Sequence, residues 1–119
     1  RNADQKSLDA IAAESRDLAA RGRARRLQPE EYRGGSFTVS NLGMLGVDEF
    51  AAIMNPPEGA ILAVGAIRDT PVAVEGRIGT APLMNMTLSC DHRIIDGATG
   101  ARFLGRIKEL LEDPDQLAG

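Results

Sequence analysis

An α+β fold, a mixed sheet covered by helices, is predicted by three features of this 119-residue sequence. Helical periodicity marks a segment near each end, a run apolar on both faces lies in the middle, and short β-rich segments broken by Gly and Pro separate them.

From Ser7 to about Arg26, Leu8, Ile11 and Leu18 with the small Ser15 and Gly22 recur at spacings of three and four, which puts them on one helical face. Ser7 is placed to cap its start. Acids come early (Asp9, Glu14, Asp17) and bases late (Arg21, Arg23, Arg25, Arg26), the sense that complements the helix dipole, and Pro29 reads as the stop. The basic run 21–26 coincides with that helix end and reads as a solvated face rather than a nucleic-acid or targeting patch.

After Gly34-Gly35, residues Ser36 to Ser40 alternate polar and apolar and predict a strand, turned by Asn41-Leu42-Gly43. Asn55-Pro56-Pro57-Glu58-Gly59 is a break, because proline cannot donate to a ladder. Ala60 to Ile67 is apolar on both faces, as in a strand covered on two sides. Pro71 to Val74, Gly76 in a turn and an extended stretch to Cys90 predict a hairpin. A second helix follows from about Ala98 to Glu112, with Ala101, Phe103, Leu104, Ile107, Leu110 and Leu111 as its apolar stripe and Asp113-Pro114 as its stop.

Length and composition narrow the function. The chain supports one modest core and is read as a single domain portion, residues 1–119. With 14 basic and 17 acidic residues the net charge is −3, which disfavours nucleic-acid binding. One Cys and one His exclude an internal disulfide and a zinc-finger ligand set, and a reducing compartment fits best. No apolar run approaches the roughly 20 residues of a membrane span, and Arg1-Asn2-Ala3-Asp4 is no signal peptide. The expectation is a soluble intracellular protein, and a start in mid-pattern without Met reads as a piece of a longer chain.

Chemistry concentrates in Cys90-Asp91-His92-Arg93-Ile94-Ile95-Asp96-Gly97, between the last strand and the second helix, which holds the sole histidine. An imidazole titrating near about 6.5 can take a proton from a thiol and return it within one turnover. Two readings of these residues stand side by side: a base with its supporting acid, or a surface histidine beside an Asp96 that caps the helix. A metal site from Asp91, His92 and Asp96 is a poor third, since one His among carboxylates gives little specificity. Cys90, in a strand of alternating exposure, reads as a small apolar residue rather than a nucleophile.

His92 to Gly97 resembles the HxxxDG signature of the chloramphenicol acetyltransferase-like fold, and Ser89 to Gly97 resembles its version in the E2 acyltransferases of 2-oxo acid dehydrogenase complexes. Gly34 to Gly43, Ile53 to Pro57 and Ile61 to Gly65 agree with the same family in order and spacing, so the resemblance runs from Arg1 to about Leu117. It implies that His92 is the general base for an attacking thiol, that Ser40 donates to the oxyanion, and that Asp96 fixes the loop. It further implies coenzyme A lying against Ser40, Asn41 and the strand around Gly65 and Ile67, a lipoyl group carried on a separate domain, and no acyl-enzyme. The implied assembly is a homotrimer with the site between subunits, built into a larger core that meets E1 and E3 components through other domains, in the bacterial cytoplasm or the mitochondrial matrix. The family domain is about twice this long, so an incomplete half of the fold is expected, lacking the basic partner usual for the HxxxDG aspartate. Ser40 to Met44 and the Ser-Cys before Asp91 favour the acetyl-transferring pyruvate dehydrogenase type. Ile67 to Val74 and Ile107 to Pro114 also resemble the succinyl type, and a branched-chain enzyme or a non-catalytic core fragment are further alternatives.

Overall fold

The computed structural model describes residues 1–118. Helices α1 (Leu8–Arg23), α2 (Pro29–Tyr32), α3 (Gly97–Glu112) and α4 (Asp115–Ala118) accompany strands β1 (Thr38–Asn41), β2 (Ala60–Val64), β3 (Arg68–Val74), β4 (Arg77–Leu83) and β5 (Met86–Cys90). The chain divides into two compact units, residues 1–35 with the segment from Leu110 onward, and residues 36–109.

In the first unit Ser7 caps α1, its hydroxyl accepting from the Ala10 amide at 3.2 Å. The helix ends at Arg23 rather than Arg26, because Arg25 turns into the left-handed region at φ 57°. Pro29, read as a terminator, instead opens α2. A missing amide costs nothing in a first turn, and Gln28 and Glu31 form a capping box around it. Arg21 joins these elements, reaching Asp17 at 2.9 Å and Glu31 at 2.7 Å. Past Glu112, Asp113-Pro114 ends α3 as expected and then leads into α4.

The second unit is built on a three-stranded mixed sheet in the order β1-β2-β5, with β3 and β4 as a separate two-stranded hairpin. β1 runs parallel to β2, with Thr38 opposite Ile61 and Asn41 opposite Val64. β5 runs antiparallel to β2, with Ala60 opposite Cys90 and Val64 opposite Met86. The central β2 supplies the buried hydrophobic residues Ala60, Ile61, Leu62 and Ala63. A strand with neighbours on both edges and cover on both faces has no side to show to water. On β1 the polar Thr38 and Ser40 are the half-buried residues and Val39 is exposed. Thr38 is satisfied there, its hydroxyl donating to the Glu58 carboxylate. Phe37, just before β1, packs edge-to-face on Phe103 of α3, ring centroids 5.7 Å apart at 78°.

In this unit too the central strand and the stretch after it differ from the sequence reading. The central strand stops at Val64 rather than Ile67: Gly65 still donates to the carbonyl of Asn85, opposite it in the β5 register, at 2.9 Å, but the Ala66 amide turns away to that of Val47 at 2.7 Å. The extended stretch to Cys90 is two strands. β4 completes the hairpin through a Glu75-Gly76 turn in which both residues have positive φ, as a two-residue type I′ connection requires. After Leu83 the chain crosses to β2 as β5, and this crossing aims it at the histidine loop.

Candidate active site

β5 delivers the chain to Asp91, and the turn at His92, Arg93 and Ile94 carries it into α3. Asp91 anchors that turn. Its amide donates to the Gly59 carbonyl at 2.8 Å, and its own carbonyl accepts from Ile94 and Ile95, each at 2.9 Å. His92 is exposed on this turn. Asp96 caps α3, its carboxylate accepting from the Thr99 amide at 2.8 Å. The Thr99 backbone donor, and then the Thr99 hydroxyl, hold the Asp96 carboxyl below its ordinary range. Asp96 is therefore a helix cap, four residues along the chain from the histidine.

Asp91 is also held ionised by Arg93. The guanidinium donates through Nε at 3.0 Å and Nη2 at 2.7 Å, and the Arg93 amide adds a third bond at 3.0 Å. These donors, the side chain's foremost, lower the Asp91 carboxyl to about 2. Among the described residues no group of His, Cys, Asp and Glu is arranged to hold a metal ion.

Ser40, Asn41, Gly65 and Ile67 gather at the other end of the sheet. Asn41 closes an Asx turn, its side-chain oxygen accepting from the Gly43 amide at 2.9 Å. Ile67 is 71% exposed just past the end of β2. Gly65 is buried, and the chain itself uses its missing side chain: a Cβ there would collide with the Asp48 carbonyl and stand 3.2 Å from that of Val47. Asp48 is staked over β2 by an ion pair to Arg68, which also donates to the Gly46 carbonyl at 3.1 Å. Nothing in the sequence pattern flags this loop. Asp48, Ala66, Arg68, Thr70, Leu83 and Asn85 line a polar hollow of about 250 Å³ beside it.

The register sets the distance between the two groups. Ser40 is level with Ala63, whereas Cys90 is level with Ala60. Three residues of strand rise and two strand spacings separate Ser40 from Cys90 by roughly 14 Å, and His92 follows Cys90 by two residues. A hydrogen-bond donor and a base acting on one carbonyl must both lie within about 3 Å of the reacting atoms. The register thus sets Ser40 and the strand end that leads to His92 toward opposite ends of the sheet.

Cys90 is half-buried and free. Its Sγ faces Gly100 of α3, 3.2 Å from where a Cβ on that glycine would stand. With Phe37, Leu88, Ile95 and Phe103 it lines an apolar cavity of about 360 Å³ between sheet and helix.

A family model described as 2-oxoacid dehydrogenases acyltransferase (catalytic domain) matches residues 1–118. The chain is 50% identical over 114 residues to the dihydrolipoyllysine-residue acetyltransferase component of the pyruvate dehydrogenase complex of Rhizobium meliloti, covering 96% of this chain and 26% of that protein. Similar proteins occur in bacteria and in mitochondria. Among solved structures, the dihydrolipoamide acetyltransferase of Azotobacter vinelandii, studied for the role of a serine, a histidine and an asparagine in its catalytic mechanism, matches at 42% identity. Its TM-score is 0.91, over 98% of this chain and 48% of that one. The cubic core of the pyruvate dehydrogenase multienzyme complex matches with a TM-score of 0.91 at 41% identity, over 98% of this chain and 48% of that chain. The chain thus spans about a quarter of the length of these curated relatives and about half of the solved chains.

Proposed function

Because this chain belongs to the 2-oxoacid dehydrogenase acyltransferase family, as part of its catalytic domain, we propose that it forms part of an enzyme moving an acetyl group between dihydrolipoamide and coenzyme A. His92 is the base. It takes the proton from the attacking thiol, and the thiolate sulfur adds to the thioester carbonyl. Ser40 donates a hydrogen bond to the oxyanion that forms. Collapse of the tetrahedral species breaks the bond to the departing sulfur, which receives the proton back from His92. No bond to the protein is made, and Cys90, turned toward α3, takes no part.

The observation that carries this reading is a pair of intervals. In the Azotobacter vinelandii enzyme the serine and histidine studied for catalysis are 52 positions apart, and the asparagine follows the histidine by four. Ser40, His92 and Asp96 repeat both intervals. An asparagine caps a helix as well as an aspartate does, so the exchange at the third position preserves the function that Asp96 performs here.

The separation of Ser40 from His92 supports a site shared between copies, the serine of one facing the histidine of another, in a homotrimer that builds a larger core. Coenzyme A lies at the Ser40 end, against Asn41 and Ile67, with Gly65 contributing only backbone because Asp48 covers its other side. The acetyl group arrives on a lipoyl group carried by another domain, and E1 and E3 components dock through domains outside this chain. The compartment is the cytoplasm in a bacterial source and the mitochondrial matrix in a eukaryotic one.

Complementation tests the reading. In the full-length protein, Ser40→Ala and His92→Ala should each reduce transfer from acetyl-coenzyme A to dihydrolipoamide by two or more orders of magnitude. Cores co-assembled from the two variants should regain part of the rate, since some interfaces then pair an intact serine with an intact histidine. Near-normal turnover by His92→Ala refutes the mechanism, and mixed cores no better than either parent refute the shared site.

A further inference from the structure

We propose that Asp91 and Arg93 are positioning residues for His92, a clamp that fixes the backbone of the turn from which the imidazole projects. The inference rests on His92 being the base, and adds a device that holds it.

Arg93 closes on Asp91 through its amide, Nε and Nη2, three hydrogen bonds between residues two apart. His92 is the residue enclosed by that ring. The far side of the ring is fixed to the fold: the Asp91 amide is bonded to Gly59, and the Asp91 carbonyl receives the amides of Ile94 and Ile95. The Asp91 side chain is 15% exposed, whereas that of Arg93 is 89% exposed. A solvent-exposed ion pair adds little to stability, and a long arginine loses rotamer freedom in making one. What a planar bidentate pair does supply is geometry. Here the geometry belongs to the two peptide units on either side of His92, so the clamp narrows the arc through which the imidazole can swing. The ordering is built in before any thiol binds, which matters because a displacement of about 1 Å in a reacting group costs on the order of a hundredfold in rate.

The test uses the full-length, assembled enzyme with Asp91→Asn, Arg93→Lys, Arg93→Gln and the double variant Asp91→Asn/Arg93→Gln. Expected is a fall in kcat of about tenfold to a hundredfold for Asp91→Asn and Arg93→Gln, with KM for acetyl-coenzyme A and for dihydrolipoamide within about twofold of wild type. Arg93→Lys keeps the charge but loses the fork, and should recover only part of kcat. The double variant should be no slower than the worse single one, as for two halves of one device. Melting temperature and core assembly are measured in parallel for Arg93→Gln, so that a loss of kcat with both unchanged isolates positioning from stability. Wild-type kcat in Arg93→Gln and Asp91→Asn, additive losses in the double variant, or a loss that merely tracks an earlier melting transition in Arg93→Gln, overturns the clamp. His92→Ala run alongside separates the two ideas: if it stays active the functional reading has failed, whereas an inactive His92→Ala beside normal clamp variants condemns the clamp alone.

Discussion

Replacing Gly65 by alanine isolates what the glycine is for. Its added Cβ would lie 2.7 Å from the Asp48 carbonyl carbon and 3.2 Å from the Val47 carbonyl oxygen, and both obstacles are backbone. The loop must move away. In doing so it strains or breaks the 2.7 Å bond from Ala66 to the Val47 carbonyl. A backbone hydrogen bond contributes about 1 kcal/mol net, and forcing one carbon into a filled space costs about 1–3 kcal/mol. Together these give a loss of about 2–4 kcal/mol, which for a domain of about twice this length lowers the melting temperature by roughly 4–16 °C. Gly79 on β4 is the matched control, since a Cβ there meets nothing within 4 Å. Its alanine variant should melt close to wild type. Thermal unfolding followed by far-UV circular dichroism, with KM for coenzyme A measured in parallel, decides the matter. A Gly65→Ala protein as stable as wild type but with a raised KM would mean that the glycine makes room for ligand rather than for Asp48, and the reasoning would be wrong.

Three further outcomes are expected. Asp96→Asn should keep the melting temperature and most of the transfer rate, since both residues cap a helix, while Asp96→Ala should lower both; equal effects from the two would argue against the cap. Cys90→Ala should retain turnover within a fewfold of wild type, and loss of transfer with an unchanged fold would return the thiol to the mechanism. The Asp91 carboxyl, held at about 2 by Arg93, has a depressed folded value, so its contribution is fully present above the unfolded range near 4 and is lost as pH falls through about 2. Carboxyl NMR should accordingly find Asp91 ionised throughout pH 4–8, and a midpoint near 4 would mean the clamp is open in solution.

Local signals made α1, α3 and the hairpin legible. The spacing of Leu8, Ile11 and Leu18, the Ser7 cap and the stripe on α3 encode their elements in a single stretch, as does the Glu75-Gly76 turn. The partner of a strand is a different kind of information. Whether the residues after Leu83 stay in the hairpin or cross to β2 depends on which edge is vacant in the folded chain, and period-two alternation is the same in either case. Asp48 above Gly65 is equally non-local. The site divides likewise: His92 and Asp96 share one motif and one loop, but Ser40 was reachable only through the family resemblance, and its distance from His92 follows from the opposite directions of β1 and β5. The pairing of Asp91 with Arg93 escaped notice because a two-residue spacing matches no helical pairing rule.

The direction of those two strands has a consequence for the order in which the protein acquires its activity. On the proposed shared site, a newly made chain carries the serine of one reaction centre and the histidine of another, and transfers no acetyl group by itself. On dilution, turnover should fall away faster than chain concentration once copies begin to part. Catalysis would thus begin with association, so that a free subunit leaves the thioester pool untouched and its first turnover reports that it has found its neighbours.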